Sequence, residues 1–344
     1  MFVSRPPRNG FVPKEVPVST RARVIVVEGS TGVCSINEGV LPDPGPGQVL
    51  VQVYAAGVGP SEVAAVTGGG PGLRLAGDEA FVRARAVGAG VTRVAPGDAA
   101  VVTPVRLGDG GSDASFVFDA DEGETAPAAW FTWATDAIVD ERHLIAVADV
   151  PDREASSIIG LTLATAAAAL REAGLAAGQS VAVFGVGGMG LALVAAATAA
   201  GAGPIIAVDR KDARLAIARE LGATDTVNAT TAAAIEAVRT ATGGAGADVV
   251  FDCADDYRTK DRPGARAARD GGVALTVSTA GPAAAPRPTE ADILEAHRWI
   301  AEGVLVPSKI VTMRYTFEAV NEAVRDIENG DYVGSAIIVM EPLR

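Results

Sequence analysis

A glycine-rich turn between an apolar run and an Ala-rich run is the feature of this sequence best suited to chemistry. Its residues are Gly185, Gly187, Gly188, Met189 and Gly190. In a strand–turn–helix unit, glycines at this spacing allow a tight turn, a close approach of the backbone to a pyrophosphate, and close packing of the helix on the strand. The N–H groups at the start of the helix also attract an anion. The pattern predicts a dinucleotide-binding turn; a turn that binds another nucleotide, or none, is the alternative.

An acidic residue, Asp209, ends the next apolar run, about twenty residues after the last glycine. An acid at this position accepts hydrogen bonds from the adenosine ribose hydroxyls and repels a 2′-phosphate. The sequence therefore predicts NAD as the cofactor. Arg210 and Lys211 follow directly and can offset the repulsion, so NADP stays open as the alternative. Cys253 follows a later apolar run and is expected either to approach the cofactor or only to pack there.

The composition is that of a globular protein and disfavours polyanionic partners. Of the 344 residues, 49% are apolar and 21% are charged, and the formal net charge is −13. That charge repels nucleic acid, and the apolar run 161–170 is shorter than the roughly 20 residues that span a bilayer. We expect a cytoplasmic protein that binds neither nucleic acid nor membrane. Its 2 Cys and 2 His residues leave few ligands for a metal.

Short β-rich runs fill the chain up to about residue 100, and alternating strands and helices follow Pro151. The clearest β-rich runs are 23–28, 48–55 and 80–87. The strands predicted after Pro151 are 181–184, 205–209, 225–227, 248–252 and 273–277. Strands that alternate with helices at this spacing form a doubly wound parallel sheet. The remaining predicted elements are a long acidic loop at 106–129, the helices 191–200, 290–302 and 317–329, and the strands 309–314 and 334–340.

Motifs spread along the chain resemble those of the medium-chain dehydrogenase/reductase superfamily. Besides the glycine turn they are Pro44-Gly-Pro-Gly-Gln-Val-Leu-Val, Ala55-Ala-Gly-Val, Val91-Thr-Arg-Val-Ala-Pro-Gly-Asp98, Val139-Asp-Glu-Arg-His-Leu, Thr165-Ala-Ala-Ala-Ala-Leu170 and Ala218-Arg-Glu-Leu-Gly-Ala-Thr-Asp225. The resemblance implies an α/β fold with a GroES-like β-rich catalytic domain at 1–163 and 283–344. A Rossmann dinucleotide-binding domain with a doubly wound parallel sheet is implied at 164–282. The resemblance also implies an NAD(P)-dependent oxidoreductase.

The zinc ligands of the zinc-dependent relatives are missing from this chain. Where those relatives carry Cys, His and commonly a second Cys, this sequence reads Gly59, Asp78 and Leu161. A catalytic zinc takes three protein ligands drawn from Cys, His and carboxylate, and Gly and Leu supply none. The four-cysteine structural zinc site of many relatives is also missing, because no Cys lies between Cys34 and Cys253. The expected protein is a zinc-lacking member of the superfamily, with no metal.

A second departure concerns the edge of the parallel sheet. Relatives insert further residues after the fifth strand, and these carry a sixth strand that pairs across a dimer axis. Here the segment 278–288 runs almost directly into the helix predicted at 290. The sixth strand is therefore expected to be missing, and the Pro-rich link 281–288 is poorly suited to replace it, because proline lacks the N–H that a strand needs. We expect a monomer, or a dimer that forms through another surface.

Without zinc, a carbonyl oxygen that gains charge during hydride transfer needs another hydrogen-bond donor or acid. Ser61 lies where zinc-dependent relatives place a relay hydroxyl, although it also fits the start of a helix, and the relay His is replaced by Ala64. Asp78 is expected to act as an acid if burial raises its pKa; the alternative is a turn Asp bonded to backbone. Thr165 is a further pocket candidate, and Glu79 is expected to pair with an Arg.

Three functions are compatible with these residues. The first is hydride transfer between NAD(H) and a carbonyl or alcohol, which the glycine turn and Asp209 favour. The second is the reduction of a quinone or enone with NADPH, as in the zinc-free branch that the chain resembles. The third is a dinucleotide-binding protein that lost catalysis together with the zinc ligands and the relay His.

Overall fold

The computed structural model describes residues 20–29, 32–68, 73–105, 107, 131–254, 263–278 and 286–340. The loop predicted at 106–129 lies outside this part of the chain except for residue 107, as does most of the link 281–288. Within the described ranges, no helix is long and apolar enough to cross a membrane.

Two antiparallel sheets form the amino-terminal part. Its elements are β1 (Thr20–Glu28), β2 (Val33–Leu41), β3 (Gln48–Val58), α1 (Pro60–Thr67), β4 (Leu73–Leu75), β5 (Ala80–Val87), β6 (Ala99–Val102), β7 (Asp136–Asp140) and β8 (Leu144–Ala146). Strands β2, β1 and β4 form one sheet, and β3, β5, β6 and β8 pair in that order in another, with β7 added to β3. Sequence patterns predict β1, β3 and β5 but miss β6 and β7, because these short strands are almost wholly buried and show no alternation.

A parallel sheet forms the central part of the chain. Its elements are α2 (Thr162–Ala173), β9 (Val181–Phe184), α3 (Gly188–Ala199), β10 (Ile205–Asp209), α4 (Asp212–Glu220), β11 (Asp225–Asn228), α5 (Ala234–Ala241), β12 (Ala247–Asp252) and β13 (Ala268–Thr276). The strand order is β11-β10-β9-β12-β13, and every pairing is parallel. Helices α2 and α3 are almost wholly buried, which their Ala-rich sequences permit because small side chains let backbones approach closely.

The carboxy-terminal elements return to the first part of the molecule. They are α6 (Glu290–Ala301), β14 (Val311–Thr316), α7 (Val320–Glu328) and β15 (Ser335–Val339). Strand β15 pairs antiparallel with β3 and parallel with β14, so that both ends of the chain share one seven-stranded sheet. The predicted α/β fold class is confirmed, including a parallel sheet of five strands. Among the described residues no sixth strand follows β13. The domain boundaries stay predictions, and α2 runs across the first of them.

Candidate active site

Two glycines of the turn are required by close packing. Gly185 follows β9 with φ of +82°, in the left-handed region that glycine adopts without strain. A Cβ atom at Gly185 would lie 2.8 Å from the backbone nitrogen of Ala254, and one at Gly190 would lie 2.1 Å from the carbonyl oxygen of Gly185. Both distances are too short for a side chain. Helix α3 can therefore leave β9 at this angle only with glycine at both positions.

Cys253 lies beside the turn, as the sequence analysis expects of it. Its backbone N–H donates to the carbonyl oxygen of Phe184 at 2.7 Å. The adjoining backbone of Cys253 and Ala254 packs against Gly185. The structure thus places Cys253 at the carboxyl end of β12, next to the glycine turn.

The start of α3 lies between two side chains from other elements. Gly187 caps the helix and Gly188 and Met189 form its first turn, where backbone N–H groups have no helical partner. A Cβ at Gly187 would lie 3.6 Å from the Cζ atom of Arg214, and one at Gly188 would lie 2.7 Å from the hydroxyl oxygen of Ser335. The N–H groups without a helical partner at this helix start are donors of the kind that bind a pyrophosphate.

Asp209 holds the glycine turn in place. Its buried carboxylate accepts a hydrogen bond from the backbone N–H of Val186 at 2.9 Å and another from that of Lys211 at 2.8 Å. A carboxylate has about four lone-pair sites, so both oxygens can still accept a bond from a ribose hydroxyl. Asp209 is therefore a structural residue of the turn as well as a candidate ligand of the ribose.

Arg214 faces Asp209, and the sequence analysis missed it. Its Nη1 lies 3.5 Å from Oδ2 of Asp209, its Nη2 donates to the carbonyl oxygen of Tyr332 at 3.0 Å, and its guanidinium stacks 5.0 Å from the centre of the Tyr332 ring. The buried Nε atom has no hydrogen-bond partner. The candidates chosen from sequence lie elsewhere: Lys211 donates to the carbonyl oxygen of Gly330 at 2.6 Å, and Arg210 is exposed. The sequence does not distinguish Arg214 from other Arg residues on exposed-looking helices.

Strand pairing connects the start of α1, which carries Ser61, to the glycine turn. Ser335, which packs on Gly188, begins β15, and the next residue, Ala336, pairs with Val58 at the end of β3. Gly59 then leads directly into α1, which carries Ser61. The two halves of the site, distant in sequence, are joined through two strands.

Helix α1 begins with a carboxylate cap. Oε2 of Glu62 accepts the backbone N–H of Gly59 at 2.8 Å and the hydroxyl of Ser61 at 3.0 Å. Ser61 therefore does not cap the helix with its own side chain, which was one reading of its position. It is a partly exposed hydroxyl that donates to a buried carboxylate.

The carboxylate of Glu79 caps α2. The prediction that Glu79 pairs with an Arg is therefore wrong. Oε2 of Glu79 accepts the backbone N–H groups of Leu161 at 2.8 Å and Thr162 at 3.1 Å, and Oε1 accepts the Thr162 hydroxyl at 2.8 Å. Unpaired N–H groups at a helix start satisfy a carboxylate as well as an Arg would. Burial, together with the charge of Glu62, raises the pKa of Glu79 to about 7, although the Thr162 bonds oppose the rise.

Asp78 is the least satisfied acid of the group. Its Oδ1 atom is buried and has no hydrogen-bond partner, so the alternative of a turn Asp fully bonded to backbone does not describe it. Burial and the neighbouring carboxyls of Glu62 and Glu79 raise the pKa of Asp78 well above its usual range. A strongly raised pKa marks Asp78 as a candidate acid.

Thr165 lies one turn into α2. It is 2% exposed, and its backbone N–H donates to the carbonyl oxygen of Leu161 at 2.7 Å. The Glu79 carboxylate caps the start of the same helix. Thr165 is therefore linked to the acids through α2 and not through a direct bond.

The donor set at the former zinc position does not fit zinc. Of Gly59, Asp78 and Leu161 only Asp78 carries a ligand atom, and within the described ranges no three His, Cys, Asp or Glu residues are arranged to hold a metal ion. His143 is hydrogen-bonded to the carbonyl oxygen of Thr103, and His297 to that of Ala148. Both rings are buried.

Comparisons with known proteins agree with this architecture. Residues 188–325 match the zinc-binding dehydrogenase family. The chain is 27% identical over 347 aligned residues to putative alcohol dehydrogenase D of Mycobacterium tuberculosis, covering 87% of this chain and 94% of that protein. It is 49% identical to L-threonine 3-dehydrogenase of Bacillus velezensis, but over 76 residues that make up only 22% of either protein.

Solved structures extend the likeness to the whole chain. An alcohol dehydrogenase zinc-binding domain protein from Burkholderia ambifaria superposes with a TM-score of 0.81 at 24% identity, covering 94% of this chain and all of that one. Two similar dehydrogenases, from Escherichia coli and Sinorhizobium meliloti, superpose with TM-scores of 0.75 and 0.74 and contain NADH and NADP respectively. These likenesses confirm the α/β fold, with its mixed sheet and its parallel sheet of five strands.

Proposed function

We propose that this dehydrogenase transfers hydride between a nicotinamide cofactor and a carbonyl or alcohol without zinc. The observation that supports this most is the acid cluster of Asp78, Glu62 and Glu79, in which Oδ1 of Asp78 is buried without a partner and the two glutamates raise the pKa of Asp78. A protonated acid beside a cofactor supplies what zinc supplies in the relatives, a group that stabilises negative charge on the substrate oxygen.

The residues present fit a dinucleotide. The backbone N–H groups at the start of α3 would bind the pyrophosphate, Asp209 would accept the ribose hydroxyls, and the buried Nε of Arg214 is a donor without a partner. NAD is the cofactor we propose first, because the Asp209 carboxylate repels a 2′-phosphate. Arg214 lies 3.5 Å from that carboxylate and offsets part of its charge, which keeps NADP as the alternative.

The proposed chemistry divides between the cofactor and the chain. The bound nicotinamide supplies or accepts the hydride. Asp78 donates a proton to the substrate oxygen during carbonyl reduction, or takes one during alcohol oxidation. Ser61 is partly exposed on α1, and its hydroxyl donates to the buried carboxyl of Glu62. Thr165 contributes to the pocket from α2.

The absence of a zinc site is part of the proposal. It is supported by the donor set at Gly59, Asp78 and Leu161 and by the two histidines, which are each bonded to a backbone carbonyl. The carboxylate of Glu79 accepts backbone N–H groups at the start of α2. We expect purified protein to contain less than about 0.1 equivalent of zinc, since filled sites use three or four protein ligands.

A substrate panel tests the function. Alcohols, polyols, aldehydes, quinones, enones and enoyl thioesters are offered to metal-stripped protein with NAD(H) and with NADP(H). Turnover of an aldehyde or alcohol that falls in Asp78→Asn but not in the matched surface variant Glu318→Gln supports the proposal. Turnover of quinones or enones alone would assign the second function, and cofactor binding without any turnover would assign the third.

A further inference from the structure

Arg214 joins two parts of the molecule that are far apart in the sequence. On one side, its Nη1 atom lies 3.5 Å from Oδ2 of Asp209. The same oxygen accepts the backbone N–H of Val186 in the glycine turn. On the other side, its Nη2 atom donates to the carbonyl oxygen of Tyr332 at 3.0 Å, and its guanidinium stacks 5.0 Å from the centre of the Tyr332 ring. One side chain of α4 therefore contacts both the candidate ribose ligand and the segment that precedes β15.

Tyr332 is fixed by the carboxy-terminal elements. It is 7% exposed and belongs to the same buried core as Tyr315 and Phe317. Two residues further along the chain, the backbone N–H of Gly334 donates to the hydroxyl of Thr312 at 2.9 Å. The ring of Tyr332 is therefore a rigid surface on which an arginine from the cofactor-binding sheet can stack.

The contacts with Tyr332 determine where the charge of Arg214 lies. The Nε atom of Arg214 is buried and has no hydrogen-bond partner, and an unsatisfied buried donor costs free energy. The stacking on the ring, the bond to the Tyr332 carbonyl and the attraction of Asp209 offset this cost. A cation that stacks on an aromatic ring is held more strongly where water is excluded. Without the ring, one hydrogen bond and one ion pair of 3.5 Å remain, and the guanidinium is free to move away from Asp209.

The position of this charge bears on the choice of cofactor. A carboxylate at the place of Asp209 accepts the ribose hydroxyls of NAD and repels the 2′-phosphate of NADP. A guanidinium 3.5 Å from that carboxylate offsets part of its negative charge and attracts the phosphate. Movement of the guanidinium away from Asp209 restores the repulsion. The affinity for NADP(H) then falls more than the affinity for NAD(H).

We propose that Tyr332 is a positioning residue that sets the cofactor preference by holding Arg214 beside Asp209. Arg214 moderates the preference for NAD, and Tyr332 keeps its guanidinium where it has this effect. The inference rests on the proposed function only in that a nicotinamide dinucleotide binds at the glycine turn. It does not depend on turnover of any substrate.

Fluorescence titration of the full-length protein with NADH and with NADPH tests the proposal. In Tyr332→Leu, the ratio of the two affinities is expected to shift towards NADH by about three- to tenfold. Tyr332→Phe retains the ring and is expected to retain the wild-type ratio. Phe317→Leu is the matched control, because it removes from the same core a ring that stacks 4.9 Å from another arginine, Arg23. An unchanged ratio in Tyr332→Leu, or an equal shift in Phe317→Leu, would overturn the proposal.

A double-mutant comparison shows whether Tyr332 acts through Arg214. Arg214→Met is expected to shift the ratio at least as far as Tyr332→Leu does, and Tyr332→Leu added to Arg214→Met is expected to shift it no further. Two shifts that simply add would refute an action through Arg214.

A further variant leaves Tyr332 in place, so that the test does not depend on the folding of Tyr332→Leu. Arg214→Lys keeps the charge, but a lysine lacks the planar guanidinium that stacks on an aromatic face. The ratio is therefore expected to shift towards NADH in Arg214→Lys as well. A wild-type ratio in this variant would show that stacking on Tyr332 is not needed, and the proposal would be wrong.

The same titrations separate this inference from the proposed function. Binding of both cofactors with an unchanged ratio in the Tyr332 and Arg214 variants removes the inference and leaves the proposed function intact. A shifted ratio without turnover of any substrate supports the inference and refutes the proposed function. A wild-type protein that binds neither NADH nor NADPH would overturn both.

Discussion

The glycine turn and the carboxyl pair of Asp78 and Glu62 satisfy their polar groups in opposite ways. In the turn, both oxygens of Asp209 accept backbone N–H groups and Arg214 stands nearby as a counter-charge. In the pair, Oδ1 of Asp78 has no partner and the neighbouring charges repel. The hydrogen bonds of Asp209 hold the turn in one conformation. The pair, in contrast, retains a carboxyl oxygen whose hydrogen-bonding capacity is not used in the fold.

The largest effect is expected from adding a side chain to the glycine turn. In Gly190→Ala, the new Cβ would lie 2.1 Å from the Gly185 carbonyl oxygen. We expect cofactor affinity to fall more than about tenfold and the free energy of unfolding to fall by about 1–3 kcal/mol. Calorimetric titration with NADH and thermal unfolding measure the two. The control is Thr198→Ala, at the exposed end of the same helix; equal losses in both variants would remove the special role of the turn.

The second-largest effect is expected from removing the acid of the carboxyl pair. Asp78→Asn keeps the shape of the side chain but removes the acid, so we expect kcat for carbonyl reduction to fall by about 10²–10³-fold while cofactor affinity changes little. Steady-state kinetics with a substrate identified from the panel measure it. Unchanged kcat would show that the unsatisfied acid has no part in catalysis.

These two regions also differ in how far the sequence reveals them. Gly185, Gly190 and Asp209 are visible because a strand, a turn and a strand end lie within one contiguous segment. Arg214 and Glu62 were missed because their roles depend on Tyr332 and Asp78, which approach only through tertiary packing. The first four parallel strands were predicted to within one residue at each end, whereas the fifth was predicted at 273–277 and spans Ala268–Thr276. Strands β6 and β7 were not predicted, because buried strands without alternation have no period to detect.

A smaller effect concerns cofactor choice. Asp209→Asn removes the charge that repels a 2′-phosphate and leaves Arg214 unopposed. We expect NAD(H) affinity to fall by about three- to tenfold and NADP(H) affinity to rise by a similar factor. Fluorescence titration with both cofactors measures the ratio. A wild-type protein that already prefers NADPH tenfold would show that Arg214, Arg210 and Lys211 dominate over Asp209.

The pH dependence of stability reports on Glu79. Its pKa rises from 4.5 to about 7 on folding, so the folded state binds this proton more tightly than the unfolded state. The resulting stability is present below pH 4.5 and is lost as the pH rises through about 7. Glu79→Gln removes this dependence, and relative to wild type the variant should gain about 1–3 kcal/mol between pH 5 and 8. Denaturant unfolding at both pH values checks it; a constant difference contradicts it.

The smallest effect is expected at the edge of the parallel sheet. If the missing sixth strand removes the dimer contact of the relatives, Thr276→Lys, at an exposed position on β13, will leave the mass of the protein in solution unchanged. Light scattering after size-exclusion chromatography measures the mass. A dimer that Thr276→Lys dissociates would show that β13 still pairs across an axis.

Turnover by metal-free protein tests most directly whether the carboxyl pair replaces zinc. The protein is stripped with a chelator, its zinc content is measured by mass spectrometry, and carbonyl reduction with NADH is followed with and without added zinc. The account predicts full activity below about 0.1 equivalent of zinc, no gain on adding the metal, and loss of that activity in Asp78→Asn. Activity that appears only with stoichiometric zinc would contradict it.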